Sequence, residues 1–236
     1  TYALSLVNTG TAAITDYTVT DNLGGYTVGA NTVYPLAYNA GTVRYYINGV
    51  LQTAPTVTAG PPLTVTGLTV PAGGSAVLIY ETTATPVAPL ATGSSITNTA
   101  TITGGGLTTP ITAQATVETA NSADLSISKA LSPTTVTENG QITYTFVISN
   151  TGNTEATATG NVVVTDTFSP ILRNIAVTYN GTAWTEGTNY TYNAATGVFT
   201  TLAGQITVPA ASFTQNTDGT FTVTPGTATL VITGTV

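Results

Sequence analysis

Apolar and hydroxyl-bearing residues alternate along most of this chain. Ile142, Tyr144, Phe146 and Ile148 are separated by Thr143, Thr145 and Val147, and Leu4 and Leu6 flank Ser5. A period of two marks strands that bury one face and leave the other to solvent. Turn signals punctuate the alternation: Asn-Gly at Asn48 and Asn180 and Asp-Gly at Asp218 predict tight hairpins, and Gly-Pro-Pro at residues 60–62 predicts a loop. No stretch joins a helical period to credible caps. The pattern predicts an all-β chain of many short antiparallel strands, arranged as immunoglobulin-like sandwiches.

The alternation is written twice. TYALSLVNTG at residues 1–10 matches TYTFVISNTG at 143–152, an offset of 143 − 1 = 142. YTVTDNL at 17–23 matches VVVTDTF at 162–168, offset 162 − 17 = 145, and SAVLIYETTA at 75–84 matches TATLVITGTV at 227–236, offset 227 − 75 = 152. The growing offset places loop insertions between two related copies. Two tandem immunoglobulin-like antiparallel β-sandwich domains follow as the expectation, over residues 1–120 and 121–236, with a small polar linker near 118–123. The two copies are framed differently. The second opens with a strand, DLSISKALSP at 124–133, that has no counterpart before Thr1, and the first continues into SITNTATITGGGLTTPITAQATVE at 95–118, which has no counterpart after Val236. Domain 1 is expected to lack its first strand and domain 2 its last strand or strands. A sandwich missing an edge strand exposes an apolar groove and unpaired backbone groups that another strand can fill.

Composition narrows the function. Charged residues are 6% of the chain, against about 25% in ordinary globular proteins. Threonine fills about a quarter of it, offering a methyl to a sheet interior and a hydroxyl to water. The net charge of −7 sets ten acids against Arg44, Lys129 and Arg173, too few cations for a run of phosphates, so nucleic acid is not an expected partner. No apolar run reaches the roughly 18 residues of a membrane helix, and membrane insertion is not expected. His, Cys and Met are absent, removing imidazole bases, thiol nucleophiles, disulfides and soft metal ligands. Neither an enzyme nor a cofactor or metal site is expected, and the composition suits an exposed, oxidising setting.

The residues DLSISKALSPTTVTENGQITYTFVISNTG, NVVVTDTFSP and SITNTATITG resemble the bacterial and archaeal surface-protein repeat catalogued as domain of unknown function eleven. The stretches at 43–74 and 179–211 look like short two-domain members from Gram-positive bacteria. Those relatives begin with a further β-rich segment carrying an Asn-X-Ala-Thr stretch like that at Asn98 to Ala100, and end near the position of Val236. The resemblance implies an extracellular or cell-surface protein, a domain 2 incomplete at its C-terminal end, and an N-terminal segment outside the chain as given.

Candidate chemistry is sparse. Asp16 and Asp21 are the nearest carboxylate pair, and the acidic loops contain no calcium-loop pattern. Asp21 and Asp166 occupy matching Thr-Asp positions, where a carboxylate caps a turn or takes part in a crosslink. Trp184, Tyr190, Tyr192, Tyr45 and Tyr46 form either a sugar-binding platform or cross-strand packing. Asn180 and Asn189 head the two N-glycosylation sequons. Lys129 interrupts an alternating strand, either as an edge-strand charge that blocks aggregation or as something sharper. Gram-positive surface domains exist in which a first-strand lysine, a last-strand asparagine and a nearby acid form an isopeptide bond. Domain 2 has Lys129 and Asp166 without a counterpart of Asn98, and domain 1 has Asn98 and Asp21 without a counterpart of Lys129. The expected protein is a structural subunit of an extracellular filament or surface layer. It assembles with copies of itself by strand complementation and is crosslinked by isopeptide bonds. The alternative is a stalk or adhesin module of a longer cell-surface protein.

Overall fold

The computed structural model describes all 236 residues. It is all-β, built from several antiparallel sheets in the manner of a β-sandwich, and its single helical turn is a 3-10 turn at Ala158–Gly160. The chain divides into two compact units, residues 1–119 with 215–222, and residues 120–214 with 223–236. Each unit has its own apolar cluster.

Thirteen strands lie within residues 1–119. They are β1 (Tyr2–Val7), β2 (Ile14–Asp21), β3 (Tyr26–Val28), β4 (Asn31–Val33), β5 (Leu36–Tyr38), β6 (Arg44–Ile47), β7 (Val50–Leu51), β8 (Thr56–Thr58), β9 (Leu63–Val70), β10 (Ser75–Tyr80), β11 (Thr82–Ala84), β12 (Ser95–Gly104) and β13 (Ile111–Glu118). One sheet runs β1-β10-β6-β7 and the other β13-β12-β2-β9-β8. The core forms where inward residues of both sheets meet, among them Leu78 of β10 and Leu63, Val65, Leu68 and Val70 of β9. Each such buried side chain contributes roughly 1.5–3 kcal/mol of transfer free energy. β1 and β13 are edge strands, and β7 and β8 form the opposite edges of the same two sheets. All eight residues of β13 are exposed, and Ile111 and Val117 remain 44% and 48% accessible, unusual for large apolar side chains on a strand.

Ten strands follow. They are β14 (Leu125–Ser132), β15 (Gln141–Asn150), β16 (Thr165–Thr167), β17 (Arg173–Tyr179), β18 (Thr182–Trp184), β19 (Tyr190–Asn193), β20 (Val198–Thr201), β21 (Ser212–Gln215), β22 (Phe221–Thr224) and β23 (Gly226–Thr235). A five-stranded sheet has the order β14-β15-β23-β17-β18, and a three-stranded sheet the order β16-β20-β19. The alternation over residues 142–148 emerges as predicted, with Ile142, Tyr144, Phe146 and Ile148 of β15 all buried. β14 and β16 are edge strands, as are β18 and β19 at the opposite ends of these sheets, and every residue of β14 is exposed.

The sequence repeat is also a repeat of hydrogen bonds. The buried Asn8 side chain donates to the carbonyls of Ala12 and Pro71 and accepts from the Gly10 amide. Asn150 donates to Thr154 and Pro209 and accepts from the Gly152 amide. The Tyr45 hydroxyl is bonded to both the amide and the carbonyl of Thr69, and Tyr179 holds Thr207 in the same way. Asn48-Gly49 and Asn180-Gly181 form the expected tight hairpins, all four residues at positive φ as a type I′ turn requires. Asp218-Gly219 does not. It sits in a five-residue connection between β21 and β22, closed by Asn216 bonding Thr220, with positive φ only at Gly219.

Candidate functional site: a lysine–aspartate pair and an asparagine–aspartate pair

β14 aligns Lys129 opposite Phe146 of β15. Because strand side chains alternate, Leu125, Ile127, Lys129 and Leu131 share one face. The Lys129 ammonium lies 4.7, 5.6 and 5.7 Å from the ring centres of Tyr144, Phe146 and Phe168. Such cation–π contacts hold a cation at an otherwise apolar place. Its Nζ is 2.5 Å from Asp166 Oδ2, with 39% of the lysine side chain and 16% of the aspartate side chain exposed. Asp166 is carried by β16, which pairs with β20 on one side and has no strand on the other. Its buried Oδ2 receives no hydrogen bond apart from the contact with the ammonium.

The matching carboxylate in the first unit meets a different environment. Asp21 closes β2 and is 1% exposed. Its Oδ1 accepts the Leu23 amide at 2.8 Å, and its Oδ2 accepts the Asn98 Nδ2–H at 2.8 Å and the Tyr80 hydroxyl. Asn98, 3% exposed on β12, accepts the Gly24 amide at its own Oδ1. Gly24 has φ +68°, and a Cβ there would lie 2.5 Å from the Ile96 side chain, so the turn that supplies this amide requires glycine. Burial, and then the hydrogen bond and charge of Asp21, push the Tyr80 phenol well above its ordinary range. Tyr2 stacks on Tyr80 with ring centres 5.6 Å apart. Burial and the Asp21 charge raise its phenol, partly offset by Asn98, yet the buried Tyr2 hydroxyl makes no hydrogen bond of good geometry.

Lys129 is thus brought to Asp166, and Asn98 to Asp21, each pair lying within one unit. Asp21 performs the turn-capping role expected of it, and Asp166 pairs with lysine instead. Asp16 is exposed at a bulge while Asp21 is buried five residues on, so the two do not assemble as an acid–base pair. The aromatic candidates are dispersed into packing: Tyr179 stacks on Trp184 at 4.8 Å, Tyr190 packs on Phe199 at 5.2 Å, and Tyr45 is buried. Asn180 is exposed in its hairpin, and its Oδ1 accepts the Thr229 amide. Asn189 engages its Nδ2 with Gln205 and its Oδ1 with the Thr185 amide. No group of three or more His, Cys, Asp or Glu side chains is placed to hold a metal ion.

Tyr80 and Tyr2 were missed by sequence reasoning. A signal for Tyr80 existed: it replaces the apolar residue that the second copy has at Ile232, a polar tip introduced into an otherwise matching strand. No protein-family model matches the chain, and a search of characterised proteins returns no match.

Proposed function

We propose that this chain is a structural subunit of an extracellular filament or surface layer, built from two tandem immunoglobulin-like domains of the bacterial surface-repeat type. It is not an enzyme acting on a separate substrate. Subunits join head to tail when a strand from one copy pairs with the free edge of β16 in the next, and an isopeptide bond at Lys129 fixes the joint. The observation that carries this reading is the division of one chemical set into two halves, Lys129 with Asp166 at 2.5 Å and Asn98 with Asp21 at 2.8 Å.

The first unit supplies the geometry for the incoming strand. β12 pairs with β2 so that Ala100 faces Asp21, and Asn98, two residues earlier on the same face, reaches the carboxylate. A strand of the type Ile-x-Asn-x-Ala-x-Ile laid on β16 with its alanine opposite Asp166 brings its asparagine to the Lys129 amine. It also covers Ile127 and Leu131, which are 54% and 41% exposed. Water leaves as the strand closes over the pair. The neutral amine nitrogen then attacks the carboxamide carbon, a C–N bond forms, the bond to the amide nitrogen breaks, and ammonia departs. Asp166 relays the proton from the attacking amine to the leaving nitrogen.

Polymer isolated from the native source, boiled in detergent, is expected to leave a ladder of multimers. Peptides linked through Lys129 are expected to weigh about 17 Da less than their sum, one ammonia lost in the modification. Lys129→Ala collapses the ladder to monomer. A native sample that runs as monomer with Lys129 unmodified refutes the crosslink.

A further inference from the structure

Between β1 and β13 the first unit has an open groove with the Asp21 carboxylate in its floor. We propose that this groove binds an extended strand of the β14 type, apolar at alternate positions with one lysine, whose ammonium ends between Asp21 and the Tyr2 hydroxyl. This site is distinct from the joint at Lys129 and involves neither Lys129 nor Asp166 of the receiving chain.

Charge is the first argument. Asp21 is almost fully buried and meets only neutral donors, the Leu23 amide, the Tyr80 hydroxyl and the Asn98 carboxamide. The one ion pair in the structure belongs to the other carboxylate of the repeat. A buried carboxylate without a cation is the costly half of an ion pair. The buried Tyr2 hydroxyl, without a hydrogen bond of good geometry, leaves a second polar group open at the same place. Both line a cavity of about 70 Å³, bounded also by Leu4, Asn98, Ala113 and Ala115. A further cavity of about 470 Å³, along Tyr2, Ile96, Ala115 and Val117, leaves room for apolar side chains.

The repeat identifies the occupant and its register. In the second unit the strand beside β15 is β14, with Leu125 opposite Asn150, Ile127 opposite Ile148, Lys129 opposite Phe146 and Leu131 opposite Tyr144. With the offset of 142, the corresponding partners on β1 and just after it are Asn8, Leu6, Leu4 and Tyr2. The visiting lysine therefore lies opposite Leu4 and beside the Tyr2 ring, as Lys129 lies opposite Phe146 and over Tyr144. The turn carries the same imprint. Asn150 Oδ1 accepts two amides, Gly152 and Asp124 just ahead of β14, whereas Asn8 Oδ1 accepts Gly10 alone. A lone pair on Asn8 is left for the first amide of the visiting strand.

The test uses the full chain and a fluorescein-labelled peptide of residues 124–133, followed by anisotropy. Saturable binding is expected, at least tenfold weaker for the peptide in which the lysine is replaced by methionine. Asp21→Asn in the protein is expected to abolish that preference, and Lys129→Ala in the protein to leave binding unchanged. The Lys→Met peptide leaves the protein untouched, so it decides the matter even where Asp21→Asn impairs folding. A covalent product at Asn98, about 17 Da lighter than the sum by loss of ammonia, supports the site equally. Absence of saturable binding, equal affinity of the two peptides, or loss of binding in the Lys129→Ala protein overturns it. A negative result here leaves the Lys129 joint standing, because that joint is read from multimers linked at Lys129.

Discussion

Asp21 and Asp166 stand at the same point of the same repeat, and they are held in opposite ways. Asp21 lies beside β12, buried and held by three neutral donors. Asp166 stands on an uncovered edge strand and is met by an ammonium. Nothing within the matching Thr-Asp motif separates them. The difference is which neighbouring strand is present, so the surrounding strands and not the motif decide whether a carboxylate acts as a buried cap or as half of a surface ion pair.

The largest expected consequence is a difference in stability. Asp21→Ala strands the Leu23 amide, the Tyr80 hydroxyl and the Asn98 carboxamide in the interior, a loss of about 3–5 kcal/mol, since each unpaired buried group costs about 1–3 kcal/mol and the effects overlap. Asp166→Ala removes a partly exposed ion pair worth no more than about 1 kcal/mol. Urea denaturation of the two variants checks this, and equal losses would break the comparison.

A smaller effect appears in alkali. The phenols of Tyr80, Tyr17 and Tyr2 in the first unit are raised above their ordinary value of 10.0, in each case chiefly by burial. Because their folded pKa values exceed the unfolded one, their stabilising effect is full below pH 10 and is lost as pH rises beyond it, the unfolded chain releasing protons that the folded chain retains. Urea midpoints should fall between pH 9 and pH 11, and Tyr80→Phe should flatten the decline. A midpoint that rises over that interval contradicts the assignment. Tyr179 and Tyr190 give the second unit the same direction of change.

The smallest effect concerns Lys129 itself. Lys129→Met keeps an unbranched apolar stem and deletes the ammonium that lies over the three rings, so stability should change by less than about 1 kcal/mol in either direction. A loss of several kcal/mol in thermal unfolding would mean that the ion pair, and not β-strand packing, holds β14 to its sheet.

The centres were largely legible in the sequence, and the reason is repetition. Asp21 and Asp166 were found because they align, and Lys129 and Asn98 because each stands on a strand that only one copy possesses. Alternation placed β15 and its buried face correctly, since a period of two needs no knowledge of partners. What escaped notice depends on which strand lies across from which. Tyr80 reaches Asp21 from a strand 59 residues away and is betrayed only by comparison with Ile232 of the second copy, and Tyr2 joins it by stacking, which leaves no local trace. The Asp218-Gly219 turn misled for a related reason. The dipeptide permits a two-residue hairpin closed by residues 217 and 220, and here the closing pair is Asn216 and Thr220, one residue further out on the N-terminal side.

Lys129 is the only lysine of the chain, and Arg44 and Arg173 are its only arginines. Trypsin cuts after these residues alone, and it must draw several residues of extended chain into its cleft. Arg44 opens β6, whose following residues pair with β10 on one side and β7 on the other, and Arg173 opens β17, where it pairs with Thr235 of β23 alone. Cleavage after Arg44 requires a strand to be pulled from between two neighbours, and cleavage after Arg173 only the end of one. Lys129 is likewise held by β15 on one side only, so the Lys129–Ala130 bond is softer than the one after Arg44. Acylating that amine removes the charge the protease recognises, so the proposed isopeptide joint would also erase one of the three tryptic sites in each subunit.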